Sequence, residues 1–246
     1  MNASEAPALS VIIPTFNYGR FIAEAIRSVL VQGISGVEIV VADDGSEDDT
    51  AEIVGSFGGA VKYVRQPRGG SAAARNLGLR HATGHHVAFL DSDDSYVPGA
   101  VRTLFQLLLD SPEADAVFGR MAQVNESVFQ RALTDPASWV PVSMPCWLAG
   151  GIILRRELVR RIGPFDESEV AGEFLDWVTR GRDLGAVFKA CEELVMMRRI
   201  HGANKMLTIP NAGAGFARLL HRHLARKRAQ GATAPAPEAR DVGRDS

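Results

Sequence analysis

The chain has 246 residues, 46% hydrophobic and 23% charged, with 24 glycines and 12 prolines. These fractions belong to a globular domain and exclude a collagen-like, coiled-coil or mostly disordered chain. With 27 basic and 29 acidic residues the formal net charge is −2, which excludes a nucleic-acid binder that works through bulk charge.

From Leu9 to about Arg120, β-rich runs alternate with helical periods. Leu9–Ile13 is apolar, β-branched and stopped by Pro14, which predicts a buried strand. Phe21, Ala25, Ile26, Val29 and Leu30 recur at helical spacing and predict a helix over residues 19 to 32. Val37–Ala42 reads as a second strand that ends in Asp43-Asp44-Gly45-Ser46, with Ser46 and Asp49 spaced as a helix start. A helix to Phe57, a strand from Ala60 to Val64 and a helix opened by Arg68-Gly69-Gly70 follow, the last running through Ala82. His86–Leu90 reads as a fourth strand that runs into Asp91-Ser92-Asp93-Asp94, and Pro98 starts a helix to Asp110. This alternation predicts a parallel sheet with right-handed crossovers, whose ligands bind beyond the carboxyl ends of the strands.

Past Arg120 the pattern loosens. Residues 124–148 carry three prolines and read as a long, partly ordered excursion. Ile152–Leu154 is a short buried run, Glu157–Ile162 a helical turn or two, Glu173–Asp183 a helix and Leu194–Ile200 a strand. Phe216 to Arg228 is basic and amphipathic, and the remainder from Gly231 is expected to be disordered. Two cysteines, Cys146 and Cys191, suit neither a disulfide framework nor a zinc site and point to a reducing compartment. With no leader pattern and no apolar run of about 18 residues, the expected location is cytoplasmic.

The strand ends hold the candidate chemistry. Three carboxylates within Asp91–Asp94 repel one another unless a cation or donors intervene, which suits Mg²⁺ or Mn²⁺ and equally suits an acidic helix start. Asp43 and Asp44 are placed either to accept from a nucleotide or to shape a turn around Gly45. Gly69-Gly70-Ser71 lets backbone approach a ligand, but no phosphate loop of the ATPase kind and no dinucleotide-binding glycine motif is present.

In this order the strings Ser10–Asn17, Val41–Ser46, Ala74–Gly78 and Phe89–Asp94 resemble the family 2 glycosyltransferases of the GT-A fold. Gly163–Glu167, Gly172–Trp177 and Arg198–Asn204 extend the resemblance to residues 9–205. It implies an α/β fold with a mostly parallel sheet flanked by helices, and inverting transfer of a sugar from a UDP- or GDP-type donor with Mn²⁺ or Mg²⁺. Residue by residue, Pro14 and Asp44 would meet the base with Asp43 in support, and Gly70 would lie near base and ribose. Asp91 would face ribose or sugar, Asp93 would hold the metal with Asp94 assisting or capping the helix, and His201 would hold diphosphate or metal. Glu173 stands where the family places its base, with Asp176 as the second choice and Gly172 where the family has Glu. Trp147, Gly150 and Gly151 fall where the family shapes its acceptor pocket.

The implied organisation is a flexible N-terminus (1–8) and one domain (9–210), with a nucleotide-sugar half (9–120) and an acceptor half (121–210). A basic helix (211–230) and a tail (231–246) complete it. The acceptor is unidentified, and peripheral membrane contact through 216–228 would suit a lipid-linked one. A catalytically silent nucleotide-sugar-binding protein and a sugar nucleotidyltransferase are the competing readings.

Overall fold

The structure is a computed structural model in which residues 8–139, 143–146, 148–169, 172–202, 204, 221 and 223 are described. Trp147, the tail and all but two residues of the expected basic helix lie outside them. The N-terminal half runs β1 (Leu9–Thr15), α1 (Gly19–Leu30), β2 (Val37–Asp43), α2 (Thr50–Gly55), β3 (Lys62–Arg65), α3 (Ser71–His81) and β4 (His86–Phe89). It continues with β5 (Ser95–Tyr96), α4 (Ala100–Leu109), β6 (Ala116–Asn125), α5 (Phe129–Thr134), α6 (Pro136–Trp139) and β7 (Met144–Pro145). Next come β8 (Ile152–Arg155), α7 (Arg156–Ile162), α8 (Glu173–Asp183) and β9 (Phe188–Ile200).

One sheet takes the order β3-β2-β1-β4-β8-β6-β9-β5, with β7 against β6. β1 to β4 are parallel, as the alternation predicts. Beyond β4 the sheet becomes mixed, because β8 runs antiparallel to both β4 and β6 while β9 is parallel to β6. The period-two pattern of β1 sends Leu9, Val11 and Ile13 into one apolar layer with α1, α2 and α4, and Ile12 into another with α3, α7 and α8. Helices thus cover both faces, and the carboxyl ends of β1 to β4 share one edge. The chain after β4 crosses to β5, which pairs with β9, so the acidic turn at 91–94 is drawn against the end of β9.

Three elements differ from the sequence reading. α2 starts at Thr50 rather than Ser46, because the Ser46 hydroxyl accepts from the Asn17 amide and the Ser46 amide donates to Asp43. β9 begins at Phe188, six residues early, where pairing with β6 overrides a polar, half-exposed stretch. The expected excursion over 124–148 includes the end of β6, α5, α6 and β7. Among the described residues, no helix is long and apolar enough to cross a membrane.

Gly84 lies where the chain enters β4, and a Cβ on it would come within 2.7 Å of the Ser10 backbone nitrogen. Backbone cannot yield as a side chain does. Gly84→Ala is therefore expected to destabilise the fold by about 1–3 kcal/mol, read as a lower urea midpoint at unchanged slope.

Candidate functional site

The edge beyond β1 and β2 is built around two buried carboxylates. Asp43 accepts from the Ser46 amide at 2.8 Å and from the Tyr63 hydroxyl, and Arg65 bonds the Ser46 carbonyl at 2.7 Å. Asp44 accepts from the Gly69 and Gly70 amides at 2.8 and 2.7 Å and from the Gln66 side chain at 2.8 Å. Its carboxylate therefore fastens the loop after β3 to the end of β2. Gly70 caps α3 with φ of +94°, in the region where a side chain is strained, and a Cβ there would meet open space. Pro14 is buried in β1 opposite Ala42. Beyond it Asn17 takes φ of +53°, held by its amide on Ser46 and its side chain on the Glu47 amide. Arg68 lies over the Phe16 ring at 3.7 Å and closes this end of the edge.

The acidic turn is compensated residue by residue. Asp94 accepts from the Arg199 amide at 3.0 Å, and the Arg199 side chain reaches back to the Asp93 carbonyl at 3.1 Å and to Glu24. Asp93 meets His201 Nε2 at 3.0 Å and the Asn204 side chain at 3.2 Å. Burial pushes the Asp93 carboxyl up from its ordinary range and the charge of Asp91 adds to this, with His201 opposing. Asp94 is pushed well up by burial first, then by Asp93 and Asp91, with the Arg199 amide opposing. The Tyr18 hydroxyl, beside this turn, is pushed up to about 12 by burial, then by Asp93 and Asp91. Tyr18 and Phe21 also pack on the His201 ring, with centroids at 5.8 and 4.8 Å.

Asp91 points the other way. Arg75 on α3 donates to Asp91 through Nη2 and to Glu173 through Nη1, both at 2.7 Å, and the Ser71 hydroxyl donates to the same Glu173 oxygen. Glu173 opens α8 and is buried. Gly172 before it has φ of +83°, a conformation in which a side chain would be strained. Asp176 is buried against Arg180 at 3.1 Å, and Arg180 bonds the carbonyls of Ile162 and Pro164 at 3.0 and 2.7 Å. That places Asp176 in a brace between α7 and α8.

The expected acceptor glycines are also placed by packing. Gly150 and Gly151 are buried, and a Cβ would come within 2.0 Å of Met196 Sδ or 2.3 Å of Cys146 Sγ. Tyr63, Arg199 and Asn204 have structural roles at this edge that sequence reasoning missed, while Arg75 bonds Asp91 and Glu173 where the sequence leads one to expect a brace of the strand-end loops. Arg75 and Asn204 lay inside strings that already stood out, but nothing in their spacing showed whom they would bond.

A family model described as Glycosyl transferase family 2 matches residues 10–165. The chain is 30% identical over 222 residues to the uncharacterized glycosyltransferase alr2836 of Nostoc sp., covering 83% of this chain and 68% of that one. It is 33% identical over 123 residues to glycosyltransferase GlyG of Streptococcus pneumoniae, where it spans only 40% of the relative's length and 48% of its own. Among solved structures, S. aureus TarS 1-349 in complex with UDP-GlcNAc superposes with a TM-score of 0.72 at 22% identity, over 94% of this chain and 68% of that one. Mannosyltransferase PcManGT from Pyrobaculum calidifontis, in complex with GDP-Man and Mn²⁺, gives 0.63 at 22% identity, over 95% of this chain and 78% of that one.

The Asp44 carboxylate holds two loop amides, one on each oxygen, and asparagine keeps one acceptor oxygen and turns a donor NH₂ toward the other amide. Asp44→Asn is expected to speed hydrogen exchange at Gly69 and Gly70 and to cost about 1–3 kcal/mol of stability. Unchanged exchange at both amides would refute this anchoring.

Proposed function

The chain belongs to glycosyl transferase family 2 and carries the GT-A fold, and we propose that it is an inverting transferase using a nucleoside-diphosphate sugar. The observation that carries this reading is one edge that joins two pairs from distant parts of the chain. Asp93 meets His201 across 108 residues, while Arg75 ties Asp91 to Glu173 across 98 residues of chain between Arg75 and Glu173. Donor-side and acceptor-side groups are thereby neighbours.

In this reading Pro14 and Asp44 border the nucleobase, with Asp43 stiffening the Asp44 turn and Gly70 leaving room beside the ribose. Asp91, whose side chain is 37% exposed, orients ribose or sugar hydroxyls. The donor set at Asp93 suits a hard or borderline dication, since a carboxylate with raised proton affinity and an imidazole nitrogen lie within 3.0 Å of each other. Among the described residues no group of three or more His, Cys, Asp or Glu side chains forms a metal site, and a dication here would take further ligands from the donor. Asp93 and His201 would hold Mn²⁺ or Mg²⁺ with Asp94 behind them, and the ion would neutralise charge on the leaving diphosphate.

The acceptor nucleophile attacks the anomeric carbon as the bond from that carbon to the diphosphate oxygen breaks. Its proton passes to Glu173, which Ser71 and Arg75 hold in place, and one displacement inverts the centre. Asp176, engaged with Arg180, is not assigned this step. The GDP-Man and UDP-GlcNAc complexes of the similar structures support a donor of this class.

The test is release of nucleoside diphosphate from a panel of UDP- and GDP-sugars with Mn²⁺. Asp93→Ala is expected to abolish release, and Glu173→Gln to lower kcat by about 10²–10⁴ while leaving donor KM nearly unchanged. A wild-type protein that binds such donors and never turns one over would contradict the proposal.

A further inference from the structure

Arg75 is a buried cation at this edge, and its surroundings fix it from several sides. Its side chain is 6% exposed and that of Glu173 8%, while Asp91 at the other end is open to solvent. The guanidinium carbon stands 5.9 Å from the centroids of both Phe165 and Phe174, whose rings wall the slot. Asn76, the next residue on α3, clamps Phe165 in turn, donating to its carbonyl at 3.0 Å and accepting from its amide at 2.8 Å. Arg75 Nε is buried without a hydrogen-bond partner among the described residues. Both terminal nitrogens are spent on carboxylates, at the short distance of charge-assisted bonds.

We propose that Arg75 is a positioning residue that couples the donor side of the site to the base, by gripping Asp91 and Glu173 with one rigid guanidinium. The coupling deepens the glycosyltransferase reading and rests on it. A planar fork with its two ends engaged cannot turn toward one carboxylate without moving against the other. A ligand that engages Asp91 therefore acts on the orientation of Glu173, and the buried end carries the effect to the reacting atoms. Burial by itself would push the guanidinium down, but Asp91 and Glu173 outweigh it and the net direction is up, so the clamp stays charged. Lysine keeps the charge and loses the fork, since one ammonium on a flexible stem lacks two fixed donors at that span.

The test is a double-mutant cycle on donor turnover with Mn²⁺, combining Asp91→Asn with Glu173→Gln. Each single variant leaves Arg75 one carboxylate, and because the double variant leaves it none, the fold of the double variant is verified by circular dichroism before its kinetics are read. The losses in kcat are expected to be non-additive, the double variant falling little below the worse single one, whereas the Tm of the double variant, in which the buried guanidinium is unpaired, is expected to fall by more than the sum of the single shifts. Arg75→Lys is expected to lower kcat by about 10²-fold, a loss typical of a misplaced catalytic group, with the Asp91–Glu173 coupling gone in that background. Losses in kcat that multiply, or coupling that survives Arg75→Lys, would overturn the clamp while leaving the proposed activity intact. A wild-type protein without turnover would remove the proposed activity, and the clamp with it.

Discussion

Carboxylates crowd the carboxyl edge of this sheet, and each has to be compensated before the edge can exist. The protein compensates them by different means, and those means separate their functions. Asp44 is satisfied by backbone amides and Asp43 by an amide and a phenol, so both are fixed parts of a turn. Asp94 is held by the Arg199 amide from β9, and Asp91 by a guanidinium from α3. Asp93 has an imidazole and an amide side chain, and its proton affinity is raised by burial and then by Asp91. Asp94 is pushed up further still, but its partner is the Arg199 amide, whereas Asp93 faces an imidazole.

The partners come from far along the chain, which makes the edge a product of the whole sheet. β9 delivers Arg199 and His201 because it runs parallel to β6 and pairs at its far end with β5, the strand that follows the acidic turn. Arg199 lies 3.7 Å over Phe129 and 4.8 Å from Phe21, so α5 and α1 fix it as well. Removing one partner of a buried, paired charge costs about 3–5 kcal/mol. Loss of Arg75 or Arg199 would therefore strain the fold and the site together.

Much of this was legible in the sequence because strand ends in a parallel sheet fall on one side. β1, β2, β4, α1 and α8 followed from apolar patterning and α3 from its glycine-rich start, and α8 has the expected bounds of Glu173–Asp183. The carboxylates stood out as clusters. What stayed hidden was partnership. Arg75 reads as a brace for the strand-end loops, but its partners show only when β4 and α8 are brought to it, and Ser46 reads as a helix cap until Asn17 claims its hydroxyl. Gly150 and Gly151 read as pocket formers, yet Met196 and Cys146 occupy the space a Cβ would need. Gly172 takes a positive φ, a backbone angle no string of letters displays.

Isothermal titration calorimetry of UDP and GDP, each with and without Mn²⁺, tests the shared-charge account most directly. The account predicts that one diphosphate binds markedly tighter with Mn²⁺ and that Mn²⁺ gains the same factor from the diphosphate, as linkage requires. Equal affinity with and without the ion, for both diphosphates, would contradict it.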